Sequence, residues 1–177
     1  GYPGLRAILA QTRARLMHLP VGAQGLAVGN LTDGIDVLFC TPSHHSPTGA
    51  TMPLAAREAL LAEAAARDFL IVEDDYEFEI APDRAPLPSL KSLDRAGRVI
   101  HVGSFSKSLF PGLRLGFLVG PAPLVAQARA LRATVLRHPP GLLQRAAALF
   151  LSLGHYDALL RRLARSYVAR RGVMLQA

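Results

Sequence analysis

The chain has 177 residues, half of them hydrophobic, with 20 Lys and Arg against 13 Asp and Glu; this length supports one sizeable core and not two full domains. No run of roughly 18 uncharged apolar residues occurs, which argues against a membrane-spanning helix, and a single cysteine excludes an intramolecular disulfide and fits a reducing cytoplasm. The formal charge of +7 attracts phosphate or nucleic acid in principle, yet 18 of the 20 basic residues are arginine and no base-reading motif accompanies them.

In chain order, Leu5, Ile8 and Leu9 recur at helical spacing with Arg6 and Gln11 and predict a short surface helix over 4–12. Residues 14–19, with Leu16 and Met17 near His18, predict a short strand before Pro20. Val21–Asp33 is turn-rich. Val37–Thr41 reads as a continuous apolar strand closed by Pro42, with Cys40 a small buried residue. A polar loop from His44 to Gly49 precedes a helix opened by Pro53 and running over 53–68. Its core stripe is predicted as Leu54, Leu60, Leu61, Ala64 and Ala65, with Arg57, Glu58 and Arg67 opposite. Phe69–Val72 is the next buried strand, so 37–73 forms a βαβ unit with parallel strands.

Residues 80–97 are Pro-rich loop, with one helical turn near Ser89–Leu93. Val99–Gly103 reads as a mostly buried strand despite His101, and Leu115–Val119 as a second apolar strand. They lie too close in sequence for a helical crossover and are expected antiparallel. Helices are predicted over 121–136, with Leu124, Ala128, Leu131 and Val135 on one stripe, then over 141–153 beyond Pro139 and Pro140. A last helix follows Gly154 over 156–175, where Arg161, Arg162, Arg165, Arg170 and Arg171 read as a solvated face.

Chemistry gathers in two places. The segment between the last two strands collects Ser104, Ser106, Lys107 and, seven residues after the lysine, Arg114. Polar groups beyond the C-terminal end of a buried strand are the usual setting of an α/β active site. An amine there serves as a nucleophile and a guanidinium grips an anion; the plain alternative is a surface lysine in a turn. A nucleotide P-loop is excluded, because Ser106 stands where the second glycine is required.

The other place lies 33 residues upstream of Lys107, where a strand runs into Glu73, Asp74, Asp75 and Tyr76. Three adjacent acids repel one another if all are buried, so at least one needs a cationic partner. Capping or solvent exposure is the plain reading for Glu73 and Asp75, and a half-buried core tyrosine for Tyr76. The neighbouring His44 and His45 do not easily share one ion and no Cys or third His lies at ligand spacing, so no metal is expected.

Three stretches, TPSHHSPTG (41–49), VEDDYEFE (72–79) and GSFSKSLFPGLRLGF (103–117), stand in an order and spacing that resemble fold-type I pyridoxal 5'-phosphate (PLP) enzymes of the aminotransferase family. The resemblance is nearest to the aminotransferase-like domain of MocR-type, GntR-family transcription regulators and runs over nearly the whole chain. It implies an α/β fold, three-layer αβα with a mainly parallel mixed sheet. Residues 1–177 would be the second half of a PLP-binding large domain, with 141–177 leading towards a C-terminal small domain.

The resemblance also implies roles. Lys107 would carry PLP on its amine and act as general base, and Asp74 would face the pyridine nitrogen. Tyr76 would donate to the 3'-oxygen, while Ser104, Ser106 and Arg114 cradle the phosphate. His45 or Ser46 would replace the usual ring-oxygen contact of the 41–49 loop, where enzymes carry Asn before Pro-Thr-Gly. Tyr2 would stack on the ring.

An amino acid or amine is the implied small molecule, with a homodimer in the cytoplasm, no membrane, and DNA contacted only through a winged helix-turn-helix outside this sequence. The family's phosphate-capping Gly-rich helix start and its small domain are likewise absent, so the chain is expected to be a piece of a longer protein. Either transamination or amino-acid sensing follows from the resemblance. The residues alone leave open a cofactor-free basic interaction or dimerisation fragment.

Overall fold

The computed structural model describes residues 2–76, 87–138 and 140–176; the 80–86 part of the predicted Pro-rich loop and the break at Pro139 lie outside them. The chain divides into two compact units. The first comprises Gly1–Asp75, Leu87–Val102 and Leu118–Pro121, the second Tyr76–Pro86, Gly103–Phe117 and Ala122–Ala177.

The first unit opens with helix α1 (Pro3–Ala10), where Pro3 at the first turn supplies a preset φ and gives up an amide that no helix bond needs. A small antiparallel hairpin follows, β1 (Val21–Gly22) with β2 (Gly25–Leu26). Strand β3 (Val37–Cys40), helix α2 (Leu54–Ala66) and strand β4 (Leu70–Asp75) then form the predicted βαβ unit. The two strands are parallel, with Val37 opposite Leu70 and Cys40 opposite Glu73. A one-turn helix α3 (Leu90–Leu93) is capped by Ser89, whose hydroxyl accepts the Ser92 amide.

Strands β5 (Val99–Ser104) and β6 (Gly116–Val119) complete a four-stranded sheet in the order β3-β4-β5-β6. Ile71 donates to the Arg98 carbonyl and, further along both strands, Glu73 meets His101, so β4 and β5 run the same way. The last pair is antiparallel, since Gly120 lies against Ile100 while Gly116 lies against Gly103. The sheet is therefore mixed, as the short β5–β6 connection requires.

Helix α2 stops where Asp68 takes a left-handed conformation, φ 57°, and the Phe69 amide bonds back to the Ala64 carbonyl. Leu60, Ala64, Phe69, Ile71, Leu90 and Val99 form the core of this unit with Leu26, Leu38 and Met52. Truncating Leu60 to Ala would cost about 2–5 kcal/mol through lost burial and the cavity left behind.

Two expectations fail here. Residues 14–19 form no strand: alternation prepares a segment for pairing, but a ladder needs a neighbour's amides, and Leu16 and Met17 stay partly exposed. Arg57, placed on the outer face of α2 by its charge, is instead fully buried, while Leu54 is 39% exposed and Ala65 also faces out. The spacing explains it, since 57, 60 and 64 fall on one helix face. The guanidinium is satisfied by three carbonyls, those of Met52 at 3.0 Å, Pro88 at 2.8 Å and Pro42 at 3.0 Å.

In the second unit, helices α4 (Ala122–Val135), α5 (Gly141–Ser152) and α6 (His155–Met174) follow the predicted bounds closely. Leu131 and Val135 of the predicted α4 stripe are 67% and 69% exposed, and the α6 arginines are largely exposed as expected. The aromatic centre is Phe105, 5.4 Å from Phe117 and edge-on to Tyr156 at 5.8 Å. Tyr156 donates its hydroxyl to Ser108 Oγ at 2.7 Å. Gly103 is required at this point, because a Cβ there would lie 2.2 Å from the Phe117 ring.

Candidate functional site

The predicted site residues fall into a group in each unit. In the first, alternation along β4 sends Ile71, Glu73 and Asp75 to the buried face and leaves Asp74 on the other. Asp74, Tyr2 and His45 line one cavity of about 550 Å³, together with Cys40, Thr41 and Pro42 at the end of β3. The structure thus brings together three residues that stand far apart in sequence. Ser46 is exposed and does not line this cavity; its peptide bond to Pro47 is cis.

His45 is fixed by its own loop. Its amide donates to the Ala50 carbonyl at 2.9 Å, and its Nδ1 meets Thr48 Oγ1 at 2.9 Å. Partial burial holds its pKa below the ordinary histidine range. Burial has the opposite effect on Asp74, raising its pKa, while the nearby His101 opposes that rise. Burial also raises the Cys40 thiol, leaving it protonated and inert.

The neighbouring acids reverse the plain reading. Glu73 and Asp75, read as capping or exposed, are 0% and 5% exposed, whereas Asp74 is half-buried. Glu73 Oε1 accepts the Leu90 amide at 2.7 Å and Oε2 accepts the Lys91 amide at 3.0 Å, so it does cap a helix, but from inside the core. His101 Nδ1 lies 2.9 Å from Glu73 Oε2, a hydrogen-bond partner for this acid. Asp75 accepts from Ser43 Oγ at 3.0 Å, and burial lifts its pKa to about 6.

Glu73, Asp75 and His101 each bring a ligand-type atom within 4.8 Å of the others, a spacing a metal ion could span. Hydrogen bonds already engage both Glu73 oxygens, which describes a closed polar network. The signal for this cluster was the lone His101 in an otherwise apolar strand.

The second group occupies Gly103–Phe117. Ser104 ends β5 and its Oγ accepts the Ser106 amide at 3.1 Å, closing a tight turn that leaves its own hydroxyl hydrogen to donate elsewhere. Lys107 is exposed on this turn, anchored by the Leu109 amide bonding back to the Phe105 carbonyl. Arg114 ends a short 3-10 turn, Pro111–Leu113, in the left-handed region with φ 51° and ψ 33°. A non-glycine residue there is strained, and the buried Leu113 and Leu115 on either side hold it in place. Tyr76, half-buried, also belongs to this unit. Ser108 was not singled out by sequence, and its bond to Tyr156 ties the turn to α6.

Such a turn presents an amine, two hydroxyls and a guanidinium from one short connection. It can bind a phosphate and a carbonyl; the cavity of the first unit can take an aromatic ring against a carboxylate.

Comparison with known proteins agrees. The family model for aminotransferase class I and II matches residues 23–167. The HTH-type transcriptional regulator TauR of Rhodobacter capsulatus is 61% identical over 177 residues, all of this chain and 37% of that protein. The probable rhizopine catabolism regulatory protein MocR of Rhizobium meliloti is 38% identical over 176 residues, 99% of this chain and 36% of the relative. The chain thus spans little more than a third of the curated relatives it matches.

Among solved structures, LysN, an alpha-aminoadipate aminotransferase from Thermus thermophilus complexed with N-(5'-phosphopyridoxyl)-L-leucine, superposes with a TM-score of 0.84 at 33% identity. The match covers 92% of this chain and 43% of that one. The chain belongs to the class I and II aminotransferase family, as a fold-type I domain closely related to the effector domains of MocR/GntR-type regulators.

Proposed function

We propose that this domain binds PLP and, in the full-length protein, senses an amino acid or amine as the effector domain of a MocR-type transcription regulator. The observation that carries the PLP reading is the Gly103–Phe117 connection, whose donor set fits a phosphorylated aldehyde. Lys107 supplies the amine, Ser104 a hydroxyl freed to donate, and Arg114 a guanidinium held in a fixed, strained corner. The regulator reading is supported by full-length matches of this chain to two regulators. Transamination is the second reading, favoured by the likeness to LysN.

PLP, when bound, supplies a protonated ring that draws electrons from the substrate's Cα. The chain's residues do the rest. Arg114, Ser104 and Ser106 would hold the phosphate. Lys107 would offer its Nζ to the aldehyde and, as a free amine, would serve as base for the substrate's Cα proton. Asp74 would face the ring nitrogen, a partner that offsets the burial raising its proton affinity. Tyr76 would donate to the ring oxygen, with His45 as a further contact and Tyr2 against the ring. Ser46, exposed and off the cavity, is the weaker of the two candidates for the ring-oxygen contact.

The protein acts as a homodimer and meets DNA through a separate helix-turn-helix domain. Titrating PLP into the full-length protein, followed by borohydride reduction and peptide mapping, tests the assignment. An adduct on Lys107 supports it. An adduct on Lys91, or no visible absorbance at all, favours a cofactor-free basic interaction or dimerisation module.

A further inference from the structure

Asp74 lies between two side chains that point the other way. Along β4, Glu73 and Asp75 enter the buried face while Asp74 lines the cavity with Tyr2 and His45. Glu73 is fully buried, and its two oxygens meet three nitrogens: the Leu90 amide, the Lys91 amide and His101 Nδ1. Those three contacts tie the end of β4 to α3 and to β5. His101 itself is 7% exposed on the neighbouring strand.

An apolar pair at this register position would be buried at smaller cost in desolvation. The network is also larger than capping α3 demands, because the two amides of Leu90 and Lys91 would satisfy Glu73 without a histidine. What His101 adds is a tie from β5 to the buried face of β4, on the face opposite the Asp74 carboxylate.

We infer that Glu73 and His101 are positioning residues for Asp74, locking the end of β4 to α3 and β5 so that the Asp74 carboxylate keeps its direction into the cavity. The inference rests on the PLP reading of that cavity. Burial raises the proton affinity of Asp74, and His101 opposes that rise. Among the described residues, the charged groups that act with His101 include Glu73, Asp74 and Asp75 on β4, with Arg57 of α2 acting on Asp75.

A double-mutant cycle on the full-length protein tests this, with the PLP dissociation constant as readout. His101→Leu should raise that constant on the order of ten-fold, as loss of the hydrogen bond to Glu73 frees the end of β4. His101→Asn, whose side-chain amide falls where Nδ1 was, should restore most of the affinity. In an Asp74→Asn background, His101→Leu should change the constant by less than about two-fold, because nothing remains to be positioned.

Equal losses in both backgrounds would show a merely structural role and overturn the inference, as would unchanged affinity in His101→Leu alone. If the leucine variant does not fold, His101→Gln takes its place, since its amide lies away from Glu73. A wild-type protein that binds no PLP would overturn the cofactor reading itself and is told apart by that control.

Discussion

At the end of β4, Glu73 and Asp75 are 0% and 5% exposed and each is bound to named partners, with His101 beside Glu73 and Ser43 beside Asp75. In the turn after β5, Lys107 and Arg114 stand exposed, and the fold spends its packing on Phe105, Leu113, Leu115 and Phe117 around them. Both regions place charge at a strand end. The acidic one is part of the core, so changes there trade against stability. The basic one is mounted on the core and is free to be selected for binding alone. A charged side chain in a turn costs little to keep and little to lose, which is why the chemistry can reside there.

The sharpest way to break this contrast is Lys107→Ala. It should abolish visible absorbance and the borohydride-fixed adduct completely, yet move unfolding free energy by less than about 0.5 kcal/mol, as expected of an exposed position. The other lysine, Lys91, is paired with Asp94 at 3.0 Å and should not substitute. A large stability loss in Lys107→Ala would mean that the turn belongs to the core after all.

Glu73→Gln should do the reverse. Leaving the buried donors of this network without their acceptor costs about 1–3 kcal/mol, read as a lower urea midpoint. A change under about 1 kcal/mol would show that the network is solvated.

The two aspartates sharpen the comparison within a single strand. Asp74→Asn should weaken PLP retention while leaving the urea midpoint nearly unchanged. Asp75→Asn should instead alter the pH dependence of stability. Burial raises the Asp75 pKa to about 6, above its unfolded value, so the fold favours the protonated acid. The stability it confers is complete below about pH 4 and is lost as pH rises through about 6. Relative to Asp75→Asn, the wild type should therefore lose about 2–3 kcal/mol between about pH 4 and pH 7. Parallel pH profiles for the two proteins would remove Asp75 from the buried set.

The smallest effect is expected at Arg114. With φ at 51°, Arg114→Gly should relieve strain and stabilise the fold by about 1 kcal/mol. PLP affinity should fall about ten-fold or more with the loss of charge-assisted bonds to its phosphate. A variant both destabilised and unaffected in binding would show that the left-handed corner has another purpose.

Much of this was legible in the chain. The apolar runs at 37–41, 69–72, 99–103 and 115–119 marked the sheet strands, and Pro53 and Gly154 marked helix starts. The spacing of three motifs carried the family, because each lies at a strand end or turn where local chemistry is constrained. The strand expected at 14–19 was not present, since pairing depends on a neighbour that periodicity cannot supply. Arg57 was misplaced because charge was weighed above its helical position, when three backbone carbonyls outweighed the cost of burying it.

By itself, the sequence determined the order of the sheet strands and the antiparallel last pair, both properties of local pattern and chain length. The resemblance singled out Asp74 among three adjacent acids, but the burial of Glu73 and Asp75 on the opposite face was decided only in the tertiary structure. Strand alternation fixes that Asp74 points away from Glu73 and Asp75, but which face is buried depends on what His101, Leu90 and Ser43 bring to it from distant parts of the chain.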